Sequence, residues 1–116
     1  MLNRIVIYVR DVDRSAAFYC KHFGFTALHD PADRIVELEP RDKGARLLLH
    51  KAGKAQKLGQ AVVKLVFDVQ DIATFCSAAK NNGLEFGSIH KADGYCFANA
   101  KDPDGNSIQV SSRAFR

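Results

Sequence analysis

The chain says nearly the same thing twice. Arg4-Ile-Val-Ile-Tyr-Val-Arg-Asp11-Val12 returns sixty positions later as Lys64-Leu-Val-Phe-Asp-Val-Gln-Asp71-Ile72. Each copy is an alternating run rich in β-branched residues that ends at Asp and passes into an amphipathic helical pattern. In a chain of 116 residues, a period of this length leaves room for two copies of one supersecondary unit and little else. The repeat therefore restricts the fold to one sheet design built twice, and a site is expected between the copies.

Arg4–Val9 reads as the first strand. Asp11 or Asp13 can cap the following helix, where Val12, Ala16, Tyr19 and Phe23 share a face. Gly24 supplies the left-handed residue that stops it. Residues 25–29, 34–38 and 45–50 read as three more strands. Pro40-Arg-Asp-Lys-Gly44 reads as a turn, with Pro40 outside the ladder because it has no N–H to donate. The second copy opens with a strand over 62–69 and a helix capped by Asp71, with Ile72, Phe75, Cys76 and Ala79 on one face. Asn81-Asn-Gly83 ends that helix. Strands over 86–90, 95–100 and 107–112 follow, separated by the turns Ala92-Asp-Gly94 and Asp102-Pro-Asp-Gly-Asn106. Residues 113–116 are expected to fray. The order is strand, helix, three strands, written twice, which is an α+β arrangement. Each helix must cover one face of its sheet, which leaves the opposite face to curl around something.

The net charge of +4 raises nucleic acid as a partner. The lysines are scattered, however. The one concentration, Lys51, Lys54 and Lys57, lies between the repeats with no aromatic residue interleaved, so it reads as a solvated linker rather than a stacking platform. No apolar run is long enough to span a bilayer, and the first residues lead straight into a strand without a signal-peptide pattern. The three cysteines, Cys20, Cys76 and Cys96, are odd in number and form no C-x-x-C pair, as in a reducing compartment. The expectation is a cytoplasmic protein with no nucleic-acid or membrane partner.

The duplication, the segment Val9-Arg-Asp-Val-Asp-Arg-Ser15-Ala-Ala-Phe-Tyr19 with Gly24, and the closing Lys101-Asp-Pro-Asp-Gly-Asn-Ser-Ile-Gln109-Val110 resemble the glyoxalase / bleomycin-resistance / extradiol dioxygenase superfamily, or vicinal oxygen chelate proteins, over essentially the whole chain. The resemblance implies two βαβββ modules forming a curled mixed sheet with a central cup, helices on the outer face. It also implies a single domain over residues 1–116 with tandem repeats at about 1–55 and 60–116, and a homodimer. For the family's enzymes it implies a divalent metal held from the first and last strand of each half. Carried over one position at a time, those places hold Arg4, Lys64, Gln109 and, in the last strand of the first half, Leu47 or, with a register slip of two, Leu49. Arginine and protonated lysine have no acceptor, leucine has no donor atom, and one glutamine is a weak neutral ligand. Divalent metals want at least three N or O donors. No metal, cofactor or catalytic residue is expected on this basis.

Alternation places Arg4, Val6 and Tyr8 on one face of the first strand and Ile5, Ile7 and Val9 on the other. Lys64, Val66 and Asp68, and Ser107, Gln109 and Ser111, repeat the mixed polar face. The ligand-binding candidates are therefore Arg4, Tyr8, His50, Lys64 and Gln109. Arg4 and Lys64 form a cationic anchor for an anionic ligand in one reading. In the other, they reach solvent or pair with Asp68 and neighbouring residues. His22, His29, His50 and His90 each sit at an element end, where a polar edge residue is the plainer reading; His50 is the one with a place near the site. Tyr95 reads as rim packing, while Tyr8 shares the face of Arg4. The expected function is metal-independent binding of an anionic or neutral metabolite. The rivals are a metal-dependent lactoylglutathione-lyase-like isomerase or oxygenase, and a protein-interaction module.

Overall fold

Two helix starts organise the chain, and both use the same device. In the computed structural model, which describes residues 1–116, Asp11 and Asp71 have extended backbones, and their carboxylates accept the N–H groups of Arg14 and Thr74. These bonds satisfy donors that the first helical turn leaves orphaned. The chain forms two compact units, Met1–Leu58 and Gly59–Arg116.

In the first unit, β1 (Arg4–Val9) leads into α1 (Val12–Phe23), followed by β2 (Thr26–Leu28), β3 (Val36–Glu39) and β4 (Arg46–Lys51). The sheet order is β1-β4-β3-β2, with β1 parallel to β4 and the other pairs antiparallel. Gly24 ends α1 at φ 73°, and its N–H bonds the Cys20 carbonyl. That left-handed turn is strained for any residue with a Cβ. Ile7, Val9, Leu38, Leu47 and Leu49 point from the sheet to the helix side, where Ala16 and Tyr19 are buried. Full burial of one such aliphatic side chain contributes about 1.5–3 kcal/mol.

The second unit repeats this order as β5 (Lys64–Asp68), α2 (Ile72–Asn81), β6 (His90–Ala92), β7 (Tyr95–Lys101) and β8 (Ser107–Ser111). Its sheet order is β5-β8-β7-β6, again with the first and last strands parallel. Ile72, Ala79, Ala98, Ile108 and Val110 are buried. The fold is thus α+β, two β-α-β-β-β modules each with a four-stranded mixed sheet.

Four local readings change. Residues 86–90 are not a strand: only His90 joins the ladder, and the strand is His90–Ala92. Leu84 and Phe86 alternate into the core, with Phe86 edge-on to Phe75 at 6.1 Å, so their pattern reflects packing rather than pairing. The strand expected at 34–38 is shifted to Val36–Glu39, because the Asp33 carboxylate holds the Ile35 N–H in a turn. The first strand of the second copy lacks Val62 and Val63, which lie exposed ahead of it. Residues 113–116 do not fray. Arg113–Phe115 is a 3-10 turn, fastened by Arg113 N–H to Ser111 Oγ at 3.1 Å and Phe115 N–H to the Ser112 carbonyl at 2.9 Å.

Candidate functional site

The helix of each unit covers one sheet face, and the chemistry collects on the other. On the first sheet, register sets Arg4 beside Arg46, Val6 beside Leu48 and Tyr8 beside His50. Two adjacent guanidinium groups repel each other, and β3 supplies the remedy. Glu37 bonds Arg46 and stands 3.5 Å from Arg4 Nε, while Glu39 accepts from Arg46 Nη2 at 2.8 Å. The Arg46 hydrogen bond, helped by the charges of Arg4 and Arg46, holds the Glu37 carboxyl below its ordinary range against a smaller opposing effect of desolvation. The same bond raises Arg46. Further along the face, the Tyr8 and His50 rings meet at 5.2 Å. His50 Nδ1 lies 2.9 Å from the Lys51 carbonyl. A carbonyl only accepts, so Nδ1 is the donor and Nε2 is left for another partner.

The second sheet carries Lys64, Val66 and Asp68 on β5, Gln109 and Ser111 on β8, and Phe97 and Asn99 on β7. Lys64 Nζ donates to Asn99 Oδ1 at 3.0 Å, and Gln109 Nε2 donates to the same oxygen at 2.9 Å. By register Asn99 opposes Gln109 as Glu37 opposes Leu48. The contacts Arg4–Glu37 and Lys64–Asn99 are therefore the same diagonal drawn twice, once with a carboxylate and once with an amide.

A groove of about 500 Å³ runs along this second face. Val66, Phe97 and Gln109 line it, Asp68 and Tyr95 flank them, and the C-terminal residues contribute two arginines, Arg113 of the 3-10 turn and Arg116. Phe97 stacks on His90 at 5.1 Å and lies 6.1 Å from Tyr95. Arg113 donates to the Tyr95 hydroxyl at 3.0 Å, with its guanidinium 5.1 Å from the ring centroid, and Arg116 lies 5.6 Å from the same ring.

Of the residues singled out from sequence, Arg4, Tyr8 and His50 lie on the first helix-free face, with Tyr8 and His50 in contact and Arg4 drawn to Glu37. Lys64 and Gln109 lie on the second and meet through Asn99. Asp68 is not the partner of Lys64; it lines the groove. The first-half counterpart of Gln109 is neither Leu47 nor Leu49, which are 3% and 0% exposed on the helix side. Register makes it Leu48, opposite Val6 as Gln109 is opposite Val66. A one-residue error flips every side chain to the other face. Glu37, Arg46, Phe97, Asn99 and Arg113 were missed. Alternation within β7 from Tyr95 would have found Phe97 and Asn99; Arg113 needed the 3-10 turn.

Comparison with known proteins gives one family and many folds of the same kind. The Glyoxalase/Bleomycin resistance protein/Dioxygenase superfamily matches over residues 1–110. No curated protein matches. Among solved structures, TnmS3, an antibiotic binding protein from Streptomyces sp. CB03234, is similar with a TM-score of 0.79 at 20% identity, over 95% of this chain and 93% of that one. Integron cassette protein HFX_CASS4, from the mobile metagenome of Halifax Harbour Sewage Outfall, gives 0.80 at 19% identity over 97% of both chains. A superfamily member from Sphaerobacter thermophilus DSM 20745 gives 0.77 at 20% identity, over 96% of this chain and 95% of that one. At such identities the likeness concerns the fold.

Proposed function

The chain belongs to the Glyoxalase/Bleomycin resistance protein/Dioxygenase superfamily, and from that premise we propose that it binds a small neutral or anionic molecule on its helix-free sheet faces without a metal ion. The observation that carries this reading is the groove on the second sheet, where an apolar and aromatic floor meets a few polar groups at its ends. Small-molecule sites have that composition and size. Val6 and Tyr8 on the first face and Val66 on the second keep 46%, 46% and 53% of their surface exposed, apolar area that a ligand would remove from water. The similarity to an antibiotic binding protein supports the same class of function. In this reading Arg4, Tyr8 and His50 contact or orient a ligand on the first face, and Lys64 and Gln109 one on the second.

The divalent metal of the family's enzymes does not fit the side chains at the corresponding places. Arg4 and Lys64 are cations, Leu48 has no donor atom, and Gln109 alone offers one neutral amide oxygen, fewer than the three donors a divalent metal wants. We also hold to a homodimer in a reducing cytoplasm. The exposed Leu2, Val62 and Val63 support an assembly. The three free cysteines, with burial raising Cys20 and Cys76, support the compartment.

Native mass spectrometry of the freshly purified, untagged protein tests the reading. The expected mass is metal-free, with a small-molecule adduct that survives chelator. One equivalent of Zn, Ni, Mn or Fe per chain, lost to chelator together with ligand binding, would overturn it.

A further inference from the structure

The two helix-free faces treat their cations differently. On the first, Arg4 and Arg46 are neutralised by Glu37 and Glu39. On the second, Lys64 meets an amide, Lys101 meets the Ser107 hydroxyl at 2.8 Å, and Arg113 meets the Tyr95 phenol. Asp68 is the one carboxylate among the paired positions of that face. A neutral hydroxyl is a weak partner for a guanidinium. A carboxylate forms a charge-assisted, planar two-pronged bond roughly twice as strong. Arg113 is thus held in place but underused. Its turn is fixed by the bonds of Arg113 to Ser111 and of Phe115 to Ser112, so it is preorganised at the end of a groove.

The geometry points to Arg113 as the anion-recognising residue of the groove, and to a flat aromatic monocarboxylate as the ligand class it takes. This rests on the small-molecule reading above and moves its cationic anchor from Arg4 and Lys64 to Arg113. The ligand's ring lies along Phe97 and Val66, where the stacked His90 ring stiffens the floor. Its carboxylate takes the Arg113 donors in place of the Tyr95 hydroxyl, and the released phenol remains a donor to the same carboxylate. Asp68 selects against a second negative charge and accepts a hydroxyl or amide N–H from the ligand. A phosphate monoester or dicarboxylate therefore binds more weakly than a monocarboxylate of equal size.

The test is isothermal titration with 2-naphthoate and 2-naphthamide, which share shape and differ in charge. The native chain is expected to prefer the acid by about tenfold, the worth of one charge-assisted bond at a partly exposed site. Arg113→Gln should collapse that ratio to within about twofold. Lys80→Gln on α2 removes the same charge from an exposed helix position and should keep the ratio. The ratio is internal to each variant, so a general loss of stability cannot imitate the result. Equal binding of acid and amide by the native chain would overturn the inference and leave small-molecule binding standing. A preference for the acid that survives Arg113→Gln would refute the role of Arg113. Failure of both probes at millimolar concentration would overturn the aromatic monocarboxylate as the ligand class, while the small-molecule reading stands or falls by the native mass.

Discussion

Replacing Asp102 by alanine should cost about 3 kcal/mol. The turn Asp102-Pro-Asp-Gly-Asn106 is wound around one carboxylate that is 5% exposed. Its Oδ1 accepts the N–H groups of Asp104 at 2.9 Å and Asn106 at 2.8 Å, and its Oδ2 accepts Asn106 Nδ2 at 3.0 Å. Each hydrogen bond contributes a net ~1 kcal/mol, and buried donors left without a partner cost more than that mean. A domain of this size has about 6–17 kcal/mol of stability in all. An unfolding entropy of about 0.24 kcal/mol per kelvin turns the loss into a drop in Tm of about 12 °C. Asn106→Ala removes only the side-chain bond and should cost ~1 kcal/mol. Asp102→Asn falls between them, because an amide keeps one acceptor oxygen but meets Asn106 Nδ2 with a second donor. Urea unfolding followed by circular dichroism gives the three midpoints, and the ordering matters more than the sizes. A cost below 1 kcal/mol for Asp102→Ala, or an equal cost for all three variants, would refute the view that this carboxylate organises the turn.

Leu49→Ala should cost about 2–5 kcal/mol and Leu48→Ala well under that, since Leu49 is fully buried on the helix side and Leu48 is on the opposite face; the reverse order in thermal melts would restore the discarded register. The Glu37 carboxyl should titrate below an ordinary glutamate, and Arg46→Gln should move it up, as read by carbon NMR. Because its folded value is depressed, the stability it contributes is present above the unfolded value and is lost as pH falls through the folded one, so the Arg46→Gln protein should lose less on acidification. Arg10 donates to the carbonyls of Gly53 at 3.1 Å and Gln56 at 2.7 Å. Arg10→Gln should therefore speed tryptic cleavage after Lys54 and Lys57, and an unchanged cleavage rate would show that this clamp does not hold the segment.

Legibility followed the reach of the interactions. The helices could be read because their signals are local: Asp11 and Asp71 bond within three residues, and the left-handed φ at the end of α1 already calls for Gly24. Their buried faces could be read because the period is a property of one element, as Ala16 and Tyr19 or Ile72 and Ala79 illustrate. Leu48 was hidden because Leu47, Leu48 and Leu49 are chemically alike, so no polarity marks which one turns away from the helix. Leu84 and Phe86 misled for a related reason: alternating burial resembles a strand even where the backbone has no full ladder partner. Alternation can place Asn99 on its face, but which side chains meet across the helix-free faces was out of reach in kind. Asn99 lies 35 residues from Lys64, and Arg113 lies 18 from Tyr95. Such pairings follow from strand register and from a turn, neither of which a single chain position announces.

The repeated diagonal has a consequence for how the two halves respond to salt. Arg4–Glu37 joins two full charges, and its first-sheet setting adds Arg46 and Glu39 at partly exposed positions. Mobile ions weaken such pairs, since the screening length at physiological ionic strength is only about 8 Å and falls to about 3 Å at 1 M. Lys64–Asn99 joins a charge to a dipole, whose field already decays over a short distance, so dissolved ions remove little of it. Raising ionic strength should therefore loosen the helix-free face of one repeat and leave its counterpart nearly as it was. The same fold, copied within one chain, thus answers ionic strength on one face and not on the other, because the carboxylates of Glu37 and Glu39 have no acidic counterpart at Asn99 and Lys101.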